Sequence, residues 1–332
     1  MKVIELTEAL GNNREERLST TLGNIEISDD AGTLNIGDRT FYLDELAENS
    51  LANYLKINRT YLAQCPPDLK ATNFRYWLNY RENASVTIES VENSITGFFR
   101  PDAMLIPVAS VAEIIGRVFS PDDEVKDLRR DNERFHIDIV SNLHSVDVPN
   151  PDRIPGRPEV GDITSGGVRI LAYPNAPTAP SVTAYLHRLV CRNGMTEAQQ
   201  QGTIRLKGKT VPEVLVEMEQ AAREVLGGLD EKLTSYAMMA QRGIPGNASS
   251  FVYQIAREHN IGPRVLNRLM ERANLLPENA TLYDVQQIFT EVANSGVKYR
   301  TMVALQNLGG ELAFHTERVL HRCGQCERLL PE

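Results

Sequence analysis

The chain has 332 residues, 42% of them hydrophobic and 24% charged, which is enough for two or three units with substantial cores. Its formal net charge is −9, which argues against a general polyanion binder, because neutralising phosphates needs clustered Lys and Arg. No run of about 18 apolar residues occurs, and the first residues lack the apolar stretch and cleavage site of a secretory signal, so a cytoplasmic protein with no membrane association is expected.

The charge is uneven: residues 1–50 carry four basic and eleven acidic side chains, and the rest of the chain is only −2. Residues 1–32 therefore read as an acidic flexible lead. Residues 33–205 read as an α+β core with a central, mostly antiparallel sheet and helices. Thr33–Ile36 and Thr40–Leu43 flank Gly37-Asp38-Arg39, a plausible hairpin turn. Asp44 looks like an N-cap for a helix to about Leu55, a short helix follows Asn58, and Pro66-Pro67 ends it. A polar and aromatic helix over 71–83 should pack Trp77 inward. Strands are expected at Ser85–Ser90, Ser94–Phe99 and Met104–Pro107. A helix at Val108–Val118 has Val111, Ile114, Ile115 and Val118 at helical spacing. Phe135–Ser141 alternates as a strand, and four prolines make Val146–Pro158 a loop or edge connection. Strands follow at Gly166–Ala172 and Ser181–Cys191. Residues 206–332 form a helical C-terminal region, with helices at Pro212–Leu226, Asp230–Gln241, Ser249–Glu258, Pro263–Ala273, Thr281–Ala293 and Tyr299–Leu320.

Few motifs carry chemistry. Cys323-Gly324-Gln325-Cys326 is a CxxC, and with His321 it would supply three ligands for a structural zinc ion, although a second CxxC is missing. Cys65 and Cys191 read as buried small hydrophobes. The stretch Gly202–Thr210 superficially resembles a phosphate-binding loop, but five residues rather than four separate its glycines, and a basic turn fits better. No GxSxG elbow, HExxH or zinc-deaminase pattern occurs, so no catalytic residue is assigned and the balance leans away from an enzyme. Arg129, Arg130 and Arg134 precede one strand. Arg188 and Arg192, then Arg205, Lys207 and Lys209, would form a local positive strip beside Tyr173 and Tyr185 if they shared a sheet edge, the mixture of cations and rings that holds single strands.

The runs Gly161-Asp162-Ile163-Thr164-Ser165-Gly166-Gly167 and Arg188-Leu189-Val190-Cys191-Arg192-Asn193-Gly194-Met195 resemble the core of a phage- and plasmid-associated family, domain of unknown function 932. Thr281–Val285 and Leu305–Gly310 resemble that family's later helices, so the resemblance spans residues 40–326. It implies a mobile-element setting in a bacterial host and supplies no active site. The leading expectation is a non-enzymatic protein of phage or plasmid DNA metabolism that binds or anneals single-stranded DNA, with further copies of itself as candidate partners in a homo-oligomer. The alternative is a self-assembling structural or protein-interaction component of a mobile element, with a counter-defence role.

Overall fold

The computed structural model describes residues 1–11, 15–131, 134–150, 162–172, 179–188, 193–196, 203–244 and 246–314. The first helix, α1 (Val3–Gly11), buries Val3 and Leu6. It is followed by β1 (Glu15–Thr21), a short 3-10 turn and β2 (Ile25–Ile27). The segment expected to be a flexible lead is thus built into the fold. Its acidic side chains do not prevent this, because alternation along an extended chain lets Glu16 and Glu26 face solvent while Ile25 and Ile27 are buried.

Strands β3 (Thr33–Ile36) and β4 (Arg39–Tyr42) form the expected hairpin, with Ile36 opposite Arg39 and a two-residue turn in which Gly37 has φ +57°. Asp44 caps α2 (Glu45–Leu55) by accepting from the Ala47 amide at 2.8 Å. Asn58 caps α3 (Arg59–Leu62) through the Thr60 and Tyr61 amides. The two prolines that were expected to end a helix instead open the next one: Pro66 is the N-cap of α4 (Pro67–Tyr80) and Pro67 occupies its first turn. The missing N–H costs nothing there, because first-turn amides have no partner within the helix. Strands β5 (Ser85–Val91) and β6 (Ser94–Phe99) complete a six-stranded sheet of order β1-β5-β6-β4-β3-β2, antiparallel except between β4 and β6. Phe41, Val86, Ile88 and Phe98 share a core with Leu51, Leu55, Phe74 and Leu78 from the helices. Trp77 is half-buried against this core.

Met104–Pro107 is not a strand. Pro107 is the extended N-cap of α5 (Val108–Val118), which has the expected bounds. The second sheet consists of β7 (Glu124–Asp131), β8 (Arg134–Asp147), β9 (Ile163–Ala172), β10 (Ser181–Arg188) and β11 (Asn193–Thr196), in the order β11-β10-β9-β8-β7. The short β12 (Thr203–Arg205) pairs with the start of β10. It lies where the sequence suggested only a basic turn.

The helical region holds α6 (Val211–Gly227), α7 (Leu229–Met238), α8 (Ala248–Glu258), α9 (Pro263–Ala273), α10 (Leu282–Ala293) and α11 (Tyr299–Phe314). Thr281 and Asp284 form a capping box on α10. The boundary expected at 205/206 does not separate two cores. Val3 and Leu6, the helix α5, the second sheet and the C-terminal helices share one core, whereas residues 22–98 hold the other.

Candidate functional site

The two faces of the second sheet differ in chemistry. Ile137 and Ile139 of β8, Val168 and Ile170 of β9, and Val182 and Ala184 of β10 belong to the core that includes Val214 and Met218 of α6 and Leu229 and Leu233 of α7. The glycine pair Gly166-Gly167 is what lets the strands and helices close. A Cβ on Gly166 would lie 3.2 Å from Leu229, and one on Gly167 would lie 1.9 Å from the Ile139 carbonyl oxygen, beside an irregularity in the β8–β9 register.

Alternate positions carry polar groups. Asp127, Asp138, Arg169, Thr183 and Thr203 lie opposite one another in a row across β7, β8, β9, β10 and β12. Arg169 forms a bidentate pair with Asp138, with Nε to Oδ1 and Nη2 to Oδ2 both at 2.6 Å, and its Nη1 donates to Gln306 Oε1 of α11 at 2.9 Å. Burial alone would raise the Asp138 carboxyl, but Arg169, with a smaller contribution from His136, holds it well below the usual carboxylate range. Burial likewise opposes the charge of Arg169, and Asp138 more than restores it. His136 is fully buried, with Nδ1 2.7 Å from the Tyr299 hydroxyl. Its Nε2 lies 3.0 Å from Asp138 Oδ1 and 3.9 Å from Asp127 Oδ2. Nε2 is thus held in an ion pair with Asp138 rather than in a well-formed hydrogen bond.

Tyr185, proposed as a stacking ring, is buried with its ring 5.1 Å from the Arg169 guanidinium. Burial pushes its hydroxyl pKa strongly up, and Asp138 adds to this. Arg188, proposed as a phosphate contact, is also inside. It pairs with Asp162 through Nε at 2.5 Å and Nη2 at 2.7 Å, and its Nη1 donates to Gln287 Oε1. Tyr283 of α10 donates to Asp162 Oδ2 at 2.7 Å, and Gln287 donates to the Tyr236 hydroxyl of α7. Desolvation pushes Tyr236 up to about 12 and Tyr283 higher still. Neither Arg188 nor Tyr185 can meet a nucleic acid from such positions: the signature arginine ties the sheet to α7 and α10. Of Arg129, Arg130 and Arg134, Arg129 is the one whose side chain is described, and it is paired to Asp127 at 2.7 Å.

The remaining cations are differently placed. Arg205, Lys207 and Lys209 are exposed, with buried Leu206 between the first two, and none of their side chains has an ion pair among the described residues. The amides of Lys207 and Gly208 donate to Glu217 of α6, and that of Lys209 donates to Glu213, so the segment is held by its backbone. It borders a groove of about 250 Å³ that Gln220 and Glu224 also line. Tyr173, Arg192, His321, Cys323 and Cys326 lie outside the described residues, as does Cys191; Cys65 is a buried free thiol, as expected.

One aromatic feature was missed in the sequence. On α4, Tyr76 and Tyr80 are 61% and 70% exposed, with rings 6.2 Å apart and 7° from parallel, and Trp77 meets both edge-on. The i, i+4 spacing of the two tyrosines was the available signal. No helix of the described residues is long and apolar enough to cross a membrane. No protein-family model, curated protein or solved structure matches the chain.

Proposed function

We propose that the chain is a non-enzymatic, single-strand nucleic-acid-associated protein of phage or plasmid DNA metabolism. The observation that carries this reading is the exposed strip Arg205, Lys207 and Lys209. The three exposed side chains follow one another within five residues, at and just beyond the end of β12, an arrangement that suits successive contacts to a backbone of phosphates. Because Glu213 and Glu217 occupy the segment's amides, its side chains are the groups left to bind. The exposed Tyr76–Tyr80 pair supports a role in stacking bases, which every sequence offers. The mobile-element setting rests on the resemblance of the Gly161–Met195 runs to the phage and plasmid family.

Fluorescence anisotropy of a labelled single-stranded oligonucleotide across a salt series tests the reading. Binding should weaken with salt, and Arg205→Ser/Lys207→Ser/Lys209→Ser should reduce the slope of log K against log salt by about 2 for three phosphate contacts. Undetectable binding at micromolar protein, or binding indifferent to salt, overturns it. The same tyrosines, with exposed Tyr61 and Leu69 nearby in sequence, favour a second reading as a self-assembling interaction component. Light scattering that loses an oligomer in Tyr76→Ser/Tyr80→Ser while oligonucleotide binding persists selects that reading for the α4 face.

A further inference from the structure

We propose that Asp127, His136 and Asp138 form a binding site for a single divalent cation on the polar face of the second sheet. The proposal is independent of the nucleic-acid reading. The three side chains each offer one ligand atom, and these atoms all lie within 4.8 Å of one another. Acidic neighbours alone would be unremarkable. What points to a ligand is His136: it is fully buried, its Nε2 makes no well-formed hydrogen bond, and two carboxylate oxygens converge on that nitrogen at 3.0 and 3.9 Å. Two carboxylate oxygens converging on one buried imidazole nitrogen place three ligand atoms around one point, and an ion there would improve on the poorly directed contact that Nε2 makes with Asp138.

The geometry suits six-coordination. An ion about 2.1 Å from both members of a 3.0 Å pair subtends about 90° between them, the octahedral cis angle. The 3.9 Å pair subtends about 135°, and turning the Asp127 carboxylate brings it closer to that angle. Asp127 has the freedom to turn because its side chain is 28% exposed, whereas His136 and Asp138 are fixed in the interior. The Tyr299 hydroxyl, 2.7 Å from Nδ1, is placed to accept the Nδ1–H. When Nδ1 carries the proton and donates to this hydroxyl, the Nε2 lone pair is free for a metal, the arrangement in which outer-sphere partners hold metal-bound histidines. One imidazole and two carboxylates suit Mn²⁺ or Zn²⁺ better than a thiophilic ion.

Arg169 and Arg129 shape the affinity. Arg169 takes one lone-pair site on each Asp138 oxygen, and a carboxylate has about four. Arg129 occupies Asp127 Oδ2 at 2.7 Å, but its side chain is 41% exposed and can swing away. Two guanidinium groups opposite two carboxylates leave the cluster formally neutral, so binding should be weaker than at a structural zinc site, and Arg129 acts as the ion's competitor.

The test is Mn²⁺ titration of the full chain followed by electron paramagnetic resonance, in which bound ion loses the sharp signal of the aqueous one. Mn²⁺ also avoids confusion with Cys323 and Cys326, since thiolates select softer metals. The wild type should take up one ion per chain. Asp127→Asn, at a partly exposed position that keeps the fold, should weaken uptake at least tenfold, and His136→Gln should abolish it. Arg129→Ser should tighten uptake, an outcome that a purely structural ion-pair network would not give. The proposal is overturned if the folded wild type takes up no ion at millimolar Mn²⁺, or if uptake is the same in Asp127→Asn and wild type.

Discussion

The two sheets of this protein solve the same problem differently. In the first, helices α2, α3 and α4 cover one face, and the strands β2, β3 and β4 carry an alternation in which Phe41 is buried between the exposed Thr40 and Tyr42, although the central β5 and β6 are buried on both faces at Ile88–Ser90 and Gly97–Phe99. Its principal internal charge, Glu89, pairs with an Arg17 that is 32% exposed, so water helps to solvate the pair. In the second sheet the alternate positions of β8, β9 and β10 are also out of water, and Arg169, Asp138, Arg188 and Asp162 must satisfy one another. A sheet with one wet face needs only a hydrophobic pattern. A sheet buried on both faces needs a closed electrostatic pattern as well, and a single deletion from it leaves an uncompensated charge.

That contrast can be broken experimentally, and the largest effect is expected at the backbone. Gly167→Ala sets a Cβ 1.9 Å from the Ile139 carbonyl oxygen, so β8 and β9 must part. A loss of about 4 kcal/mol or more, or no folded protein, is expected from urea unfolding followed by circular dichroism. Gly11→Ala, where a Cβ meets nothing within 4 Å, should be tolerated within about 1 kcal/mol.

Next comes charge deletion. Arg169→Met leaves the buried Asp138 without its bidentate guanidinium partner, with only His136 beside it, and should cost about 3–5 kcal/mol, with Arg188→Met costing a similar amount through Asp162. Arg169→Met/Asp138→Leu should regain much of the first loss, since a matched apolar pair leaves no stranded charge. Arg17→Met in the first sheet should cost about 1 kcal/mol or less, because the guanidinium is partly solvated. If Arg17→Met proves as damaging as Arg169→Met, the contrast between the sheets is wrong.

The pH dependence follows from the same buried groups. Tyr185, Tyr236 and Tyr283 have raised folded-state pKa values, so above about pH 10 the unfolded chain releases protons that the folded chain retains. Stability is therefore complete below pH 10 and falls as pH rises, by about 1.4 kcal/mol per pH unit for each tyrosine. Asp138 has the opposite sign. Its lowered folded pKa contributes stability above about pH 4 that is lost as pH falls further. Thermal melts across pH should show both shoulders, and Tyr185→Phe should shallow the alkaline one. The smallest effect is expected at Arg205, Lys207 and Lys209, whose replacement by serine should change stability by no more than about 0.5 kcal/mol.

Much of the fold was legible locally. Asp44 and Asn58 cap the helices they were expected to cap, and α5 and α9 have the expected bounds, because caps and periodic apolar residues act within a few positions. Met104–Pro107 and Pro66-Pro67 were misread because a short apolar run and a proline pair each have two local meanings, and the neighbouring helix decides between them. For the site, the cations were legible as residues but not as neighbours. Arg188 and Lys207 carry the same charge in the sequence, and only the placement of Asp162, Tyr283 and Gln287 takes the first inside.

The run Phe135-His136-Ile137-Asp138-Ile139-Val140 states the division most plainly. Period-two alternation marks an extended strand with two unlike faces, and it does so from the sequence alone, since successive side chains of a strand point in opposite directions. Whether the polar face meets water depends on groups far along the chain. Tyr299 and Gln306 of α11 approach His136 and Arg169 across more than 130 residues, and burial by such distant partners leaves no trace in the local pattern. The sequence determined the strand, its faces and its glycine pair. The tertiary structure alone turned a polar face into a buried cluster of Asp127, His136, Asp138 and Arg169, because charge pairing and desolvation depend on distances that only the packed chain sets.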